Sequence, residues 1–324
     1  MSKLHTSYLG LKLKNPLIVS SSSLTSNIES IEKLADAGAG AVVLKSLFEE
    51  QIQAETNEMG ETLSHAEAYD YIEQMGMSLG PAQYLELVRE SKSRVDIPVI
   101  ASLNCVDGKW WKEYAVQLDS AGADALEVNL SLMPRRFDQK SGDLEKELIH
   151  TVETIRKHSS LPLAIKLGPY FTSLPEFATR LQKAGADALV LFNRFYQFDF
   201  DLSTGQPKGR VSLSSPEDYH QALRWISILF DRAGVELAAS TGVHNAETAL
   251  KMIAAGADAV QLCSVFYRNN TQILESILRD MEVQLDSLGV SDIQDLKGRY
   301  AQKRSEKPES YERLQYIKAL TGLS

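Results

Sequence analysis

One short pattern, repeated four times, constrains this chain more than any other feature: AGAGAVVLKS at 37–46, AGADALEVNLS at 121–131, AGADALVLFN at 184–193 and AGADAVQLCS at 255–264. Each copy reads as a helix ending at a glycine, where left-handed backbone costs little, with an apolar β-rich run beginning two or three residues later. Each is therefore a junction from helix to strand. Four further runs share the length and apolar character of those strands: PLIVSS at 16–21, PVIASL at 98–103, PLAIKL at 162–167 and ELAAST at 236–241. Between the eight strands lie helical segments at Ile28–Asp36, Tyr84–Ser93, Trp111–Ser120, Glu145–His158, Leu174–Ala184, Pro216–Ala233 and Ala246–Ala254.

Strands that alternate with helices and are apolar on both faces form a parallel sheet, and eight such units close into a (β/α)8 barrel. The expected fold class is α/β, a TIM barrel of parallel strands with lid insertions, forming one domain over residues 1–324. A doubly wound open sheet is the alternative, but no Gly-x-Gly-x-x-Gly follows the first strand. Residues 48–83 and 194–215 exceed the usual strand-to-helix connection and are expected to build lids or walls at the catalytic face. The charged segment from Asp292 to Ser324 is helix-prone, and either closes the barrel bottom or supports a subunit contact.

Composition narrows the function classes. No stretch approaches about 18 consecutive apolar residues, and MSKLHTSYLGLKLKNP shows neither a signal peptide nor an amphipathic anchor, so the expectation is a cytoplasmic protein off the membrane. Two cysteines, Cys105 and Cys263, are fewer than the four thiolates of an ordinary iron–sulfur cluster. No metal site is expected. The net charge of −9 and the lack of a Lys/Arg run among aromatics argue against nucleic acid as a partner.

Active sites of this fold sit at the C-terminal ends of the strands, so polar residues facing inward there are the candidates. Period-2 alternation sends Leu163, Ile165 and Leu167 to the helix layer and leaves Ala164 and Lys166 inside. The same rule turns Leu126, Val128 and Leu130 outward and Glu127, Asn129 and Ser131 inward. Lys45, Ser102, Asn104, Asn193 and Cys263 also face the mouth. An ammonium inside a barrel needs an anion, so Lys166 either meets a ligand or pairs structurally with Glu127. Lys45 can snorkel to solvent, Cys105 and Cys263 can be small packing residues, and the asparagines and serines can cap turns. The segments STGVHNAET at 240–248 and CSVFYRNN at 263–270 follow strands seven and eight, where this fold frequently binds phosphate. Ser240, Thr241, Gly242 and Ser264, taken with the lysines, imply a phosphorylated ligand whose ring lies over the barrel axis.

From about residue 5 to residue 275, these motifs in this order resemble the dihydroorotate dehydrogenase family: LGLKLKNPLIVSSS, VVLKS, EVNLS, IKLGPYF, LFN, STGV and QLCS. The resemblance implies an FMN-dependent oxidoreductase of CH–CH bonds that moves a hydride between a dihydropyrimidine-like substrate and FMN. It places the phosphate on Gly242, Val243, Cys263 and Ser264, with Thr241 also among the cofactor-binding residues. The ring falls to Ser20, Ser21, Lys45, Asn129, Lys166 and Asn193, with Ser46 and Asn104 as further cofactor-binding residues, and the substrate to Lys45, Asn129 and Asn193. Lys166, Asn129 and Ser131 are the implied catalytic residues, with the Lys166 cation stabilising negative charge on the reduced ring. A small-molecule substrate, a soluble electron acceptor and a homodimer complete the expectation, with dihydroorotate oxidation in pyrimidine metabolism as the reference reaction.

One loop departs from the family. Where its pattern reads Asn-x-Ser-Cys/Ser-Pro-Asn, this chain has NLSLMPRRF, with Leu132 at the position of the base. EQMGMSLGP at 73–81 likewise lacks a clear Asn-Ser-Met-Gly match. Two other readings stay open on sequence alone: a Schiff-base lyase of the aldolase type using Lys166, and a non-catalytic FMN-binding relic.

Overall fold

The computed structural model describes residues 3–49, 51, 80–105, 111–130, 134, 136–194, 197–210 and 212–322. Eight parallel strands form the barrel: β1 (Leu17–Val19), β2 (Ala41–Val43), β3 (Val99–Cys105), β4 (Ala125–Leu130), β5 (Leu163–Leu167), β6 (Ala188–Leu191), β7 (Glu236–Ser240) and β8 (Ala259–Leu262). Each pairs with its sequence neighbour, and β8 pairs with β1 through Val260 and Leu17, which closes the ring. The barrel expected from the repeats is the barrel observed.

The helices that wrap it are α1 (Ile28–Asp36), α2 (Pro81–Arg94), α3 (Trp111–Ser120), α4 (Ser141–His158), α5 (Leu174–Ala184), α6 (His220–Leu229) and α7 (Ala246–Ala255). A short helix, Ser264–Arg268, precedes α8 (Ile273–Ser287). The boundaries of α1, α3 and α5 coincide with those expected, whereas α6 is shorter at both ends because residues 216–219 and 230–232 form turns.

The repeat explains how the strands are set. Its four glycines, Gly38, Gly122, Gly185 and Gly256, all have positive φ, from 92° to 125°. That reverses the chain from helix into strand. The aspartate two residues later pins the neighbouring strand's start: Asp124 accepts from Val99 N at 2.7 Å, Asp187 from Leu163 N at 2.8 Å and Asp258 from Leu237 N at 2.8 Å. Each also takes a cation from the outer layer, respectively Lys92, Arg156 and Lys297.

Two cores result. Leu126, Val128, Leu130, Leu163, Ile165 and Leu167 join the cluster between barrel and helices, while Ile18, Val43, Ala125, Ala164, Ala188, Val190, Ala238 and Ala259 form a second inside the barrel. An antiparallel hairpin of Thr6–Tyr8 and Leu11–Leu13 contributes Tyr8, Leu9 and Leu13 to this inner cluster and is the barrel's floor. The segment after Asp292 starts against that floor, where Ile293 N donates to Lys3 O at 2.9 Å and Gln294 Nε2 to Thr6 Oγ1 at 3.0 Å. It then runs along α7, through Gly298 N to Ile253 O and Tyr300 N to Ala254 O. Of the two long insertions, most of 48–83 lies outside the described residues, and the other carries an antiparallel hairpin of Gln197–Asp201 and Gln206–Arg210.

Candidate active site

At the C-terminal ends of the strands a cavity of about 520 Å³ opens between β1, β5, β6, β7 and β8. Ser20 and Ser21 after β1, Lys166 on β5, Asn193 after β6, Thr241, Gly242 and Val243 after β7, and Cys263 and Ser264 after β8 all line it. Gly242 has φ of 78°, and a Cβ there would stand 2.3 Å from Tyr219 N. Only glycine lets this turn lie against the 218–219 backbone.

Lys166 is 5% exposed, and its Nζ donates to Ser20 Oγ at 3.0 Å, Glu127 Oε1 at 3.1 Å and Gln261 Oε1 at 2.8 Å. Gln261 Nε2 in turn donates to the other oxygen of Glu127, and Ser20 Oγ donates to Gln261 Oε1 at 3.1 Å. Three strands, β4, β5 and β8, and the residue just past β1 thus contribute to one buried polar cluster. The register explains it: Asn129 stands opposite Lys166 and Glu127 opposite Ala164, so a long side chain from β5 reaches the carboxylate over a small neighbour.

Beside it lies a neutral network. Ser46 Oγ lies 3.0 Å from Ser21 Oγ and 2.7 Å from Ser102 Oγ, and Asn129 Nδ2 donates to Ser46 Oγ at 3.1 Å. Tyr84, from α2, donates to Ser102 O at 3.1 Å and accepts from Ser102 N at 2.8 Å, which ties α2 to the middle of β3. Asn104 faces Asn129 across the β3–β4 pair, and Lys45 sits half-buried just past β2 with its backbone N–H on Thr25 O. Lys45, Ser46, Asn104 and Asn129 flank the cavity and do not line it. Ser131 and Leu132, together with the Cys105 side chain, lie outside the described residues.

The other rim is a strap that no sequence motif singles out. Ser212, Leu213 and Ser214 line the cavity. Arg194 holds the strap through Ser212 O at 3.0 Å and Asp218 Oδ2 at 2.7 Å, while Arg268 Nη2 donates to Ser214 O at 3.1 Å. Ser264 Oγ accepts from Ser214 N at 2.9 Å, and His244 Nε2 lies 3.0 Å from Ser214 Oγ. Burial, and then the nearby Arg268 charge, lower the His244 pKa. Burial pushes the Cys263 thiol up, against the opposing effect of Lys166. That thiol is a poor nucleophile at neutral pH.

Residues 3–285 match the family model described as dihydroorotate dehydrogenase. The chain belongs to that family. It is 32% identical over 269 residues to the "Dihydroorotate dehydrogenase B (NAD(+)), catalytic subunit" of Methanocella arvoryzae, covering 80% of this chain and 86% of that protein. The protein of the same name from Thermoplasma acidophilum is 28% identical over 307 residues, covering 92% and 99%, and that from Pyrococcus abyssi 26% over 302 residues, covering 91% and 98%. As a member of the dihydroorotate dehydrogenase family the chain is an oxidoreductase acting on CH–CH bonds, and the family's cofactor is FMN. Among the described residues no helix is long and apolar enough to cross a membrane, and no group of three or more His, Cys, Asp or Glu could hold a metal ion.

Proposed function

We propose that this chain, as one FMN-binding barrel domain, moves a hydride between FMN and a dihydropyrimidine-like small molecule, with the dihydroorotate–orotate couple as its reference reaction. The observation that carries the reading is the cavity of about 520 Å³, which gathers residues from five strand ends around a buried lysine. Its volume falls within the roughly 300–1,000 Å³ of cofactor and ligand sites. Its chemistry also fits FMN: hydroxyls and Gly242 at the β7 and β8 ends, where this fold binds phosphate, and a cation where a flavin ring gains negative charge. FMN would supply hydride acceptance and donation there.

In this reading Thr241, Gly242, Val243, Cys263 and Ser264 hold the phosphate, and Ser20, Ser21, Lys166 and Asn193 bind the ring. Lys45, Asn129 and Asn193 orient the substrate, with Ser46 and Asn104 beside them. Leu132 has no atom that accepts a proton, and the neighbouring Ser131 is an additional serine of the motif rather than its base. We therefore expect the cofactor site to be more competent than the dihydroorotate reaction. The Schiff-base alternative is disfavoured by the Lys166 environment, because an ammonium bonded to a carboxylate offers no lone pair to a carbonyl. A soluble electron acceptor and a homodimer belong to the same proposal. Support for a subunit contact comes from the exposed Phe198, Phe200 and Leu202 on the second insertion.

The test is the absorption spectrum of the purified protein, followed by anaerobic addition of dihydroorotate. Yellow protein that releases FMN on denaturation supports the reading. Protein that neither carries nor takes up FMN overturns it, and bound flavin that no donor reduces leaves a non-catalytic binder. Light scattering reads the subunit number.

A further inference from the structure

An ammonium has three N–H donors, and all three of Lys166 are taken by protein: Ser20, Glu127 and Gln261. These bonds are not equivalent. Ser20 keeps a second bond to Gln261 Oε1 if it releases Lys166, so it can yield its place to a ligand at little cost. Glu127 is 1% exposed, and its two oxygens are held by Lys166 and Gln261. Without Lys166 its charge would be buried and unpaired. The converse holds for Lys166, since a lysine buried without a counter-ion loses its proton near neutrality.

Among the described residues, the other titratable groups facing the pair are Cys263 beside Lys166, and Tyr84 and Tyr8 beside Glu127. Burial pushes all three upward, so each stays neutral through the physiological range. Glu127 is therefore the anion that balances Lys166. We propose that Glu127, seated by Gln261, is a positioning residue that keeps Lys166 an ammonium inside the barrel, so that the charge beneath the cavity is constant across the physiological pH range. The inference rests on the FMN reading above.

The sign of the effect follows. An ammonium favours the more negative, reduced form of a bound flavin, and a neutral amine does not. With Glu127 present the benefit is the same at pH 6 and pH 9. With a neutral residue there, it is present at low pH and disappears as pH rises and Lys166 sheds its proton.

The experiment uses FMN-loaded wild type, Glu127→Gln, Glu127→Asp and the Glu127→Gln/Lys166→Met double variant. FMN dissociation constants are measured by flavin fluorescence, and midpoint potentials of bound FMN from pH 6 to pH 9. Against the double variant as baseline, wild type and Glu127→Asp should show a constant offset. Glu127→Gln should lose at least tenfold in the ratio of reduced to oxidised flavin between the two ends of the range, about 30 mV for a two-electron couple. A Glu127→Gln profile parallel to wild type overturns the proposal while leaving the FMN reading intact. Failure of wild type to bind FMN overturns the FMN reading and the proposal with it. If Glu127→Gln alone does not fold, the double variant decides: its recovery of a folded, FMN-binding protein supports the counter-ion role, and its failure to fold makes Glu127 a packing residue and overturns the idea.

Discussion

At the floor of the barrel the inward residues of β4, β5, β7 and β8 are Ala125, Ala164, Ala238 and Ala259, and two positions further along they become Glu127, Lys166, Ser240 and Gln261. The lower ring is small because the hairpin must push Tyr8, Leu9 and Leu13 up between the strands. The upper ring is polar: Glu127, Lys166 and Gln261 bond one another across the barrel, and Lys166, Ser240 and Gln261 line a cavity open to ligands. The same strands thus carry stability at one end and chemistry at the other, with a single pleat separating the two.

The largest expected effect lies at the mouth. A positioned general base contributes about 10²–10⁴-fold, so with Leu132 at that position dihydroorotate should reduce the bound flavin slower than in an efficient relative by about that factor. Leu132→Cys should recover part of the rate in anaerobic stopped flow. Efficient reduction by the unmodified chain would show that another residue moves the proton.

Lys166→Ala comes next, because it touches both properties. It leaves the Glu127 carboxylate buried without its cation, and breaking such a pair costs about 3–5 kcal/mol. Urea unfolding should show that loss and FMN reduction should also weaken; a variant as stable as wild type would mean that the pair is solvated. At the floor, Leu13→Ala should cost about 2–5 kcal/mol through the cavity it leaves. FMN affinity of the folded fraction should be unchanged. A lowered affinity would break the division between the two ends.

The smallest effect tests the floor alone. The buried Tyr8 hydroxyl has no hydrogen-bond partner among the described residues, and a buried unsatisfied group costs about 1–3 kcal/mol. Tyr8→Phe should therefore raise stability by about 1 kcal/mol in the same unfolding assay. A decrease would show that the hydroxyl is bonded in solution.

Much of this division is legible in the sequence. The four glycine repeats give the junctions, and alternation gives both the outward leucines of β4 and β5 and the inward Glu127 and Lys166. The same rule reaches Gln261, two residues past Ala259, although no motif draws attention to a glutamine in AVQLCS. The aspartates of the repeat are less accessible. Their repetition is plain, but their cations are not marked by it: Lys92 and Arg156 stand 32 and 31 residues upstream of their aspartates, and Lys297 stands 39 downstream of its own. The strap of residues 212–215 falls in the 194–215 insertion that its length marks as a wall, but its partners are hidden for a related reason: Arg194, His244 and Arg268 come from two loops and a short helix that only the closed ring brings together.

The pairing of β8 with β1 also governs the order in which the fold can be completed on the ribosome. Strand β1 emerges early, yet one of its edges has no partner until Ala259–Leu262 has been made. At about 5–20 residues per second that edge waits on the order of 10–50 s, exposing unpaired backbone groups that invite wrong partners. Loss of β8 would leave a nascent chain with an open sheet, an uncovered Lys166–Glu127 pair and no route to a finished ring. Such fragments should be substrates for chaperones and proteases rather than for flavin.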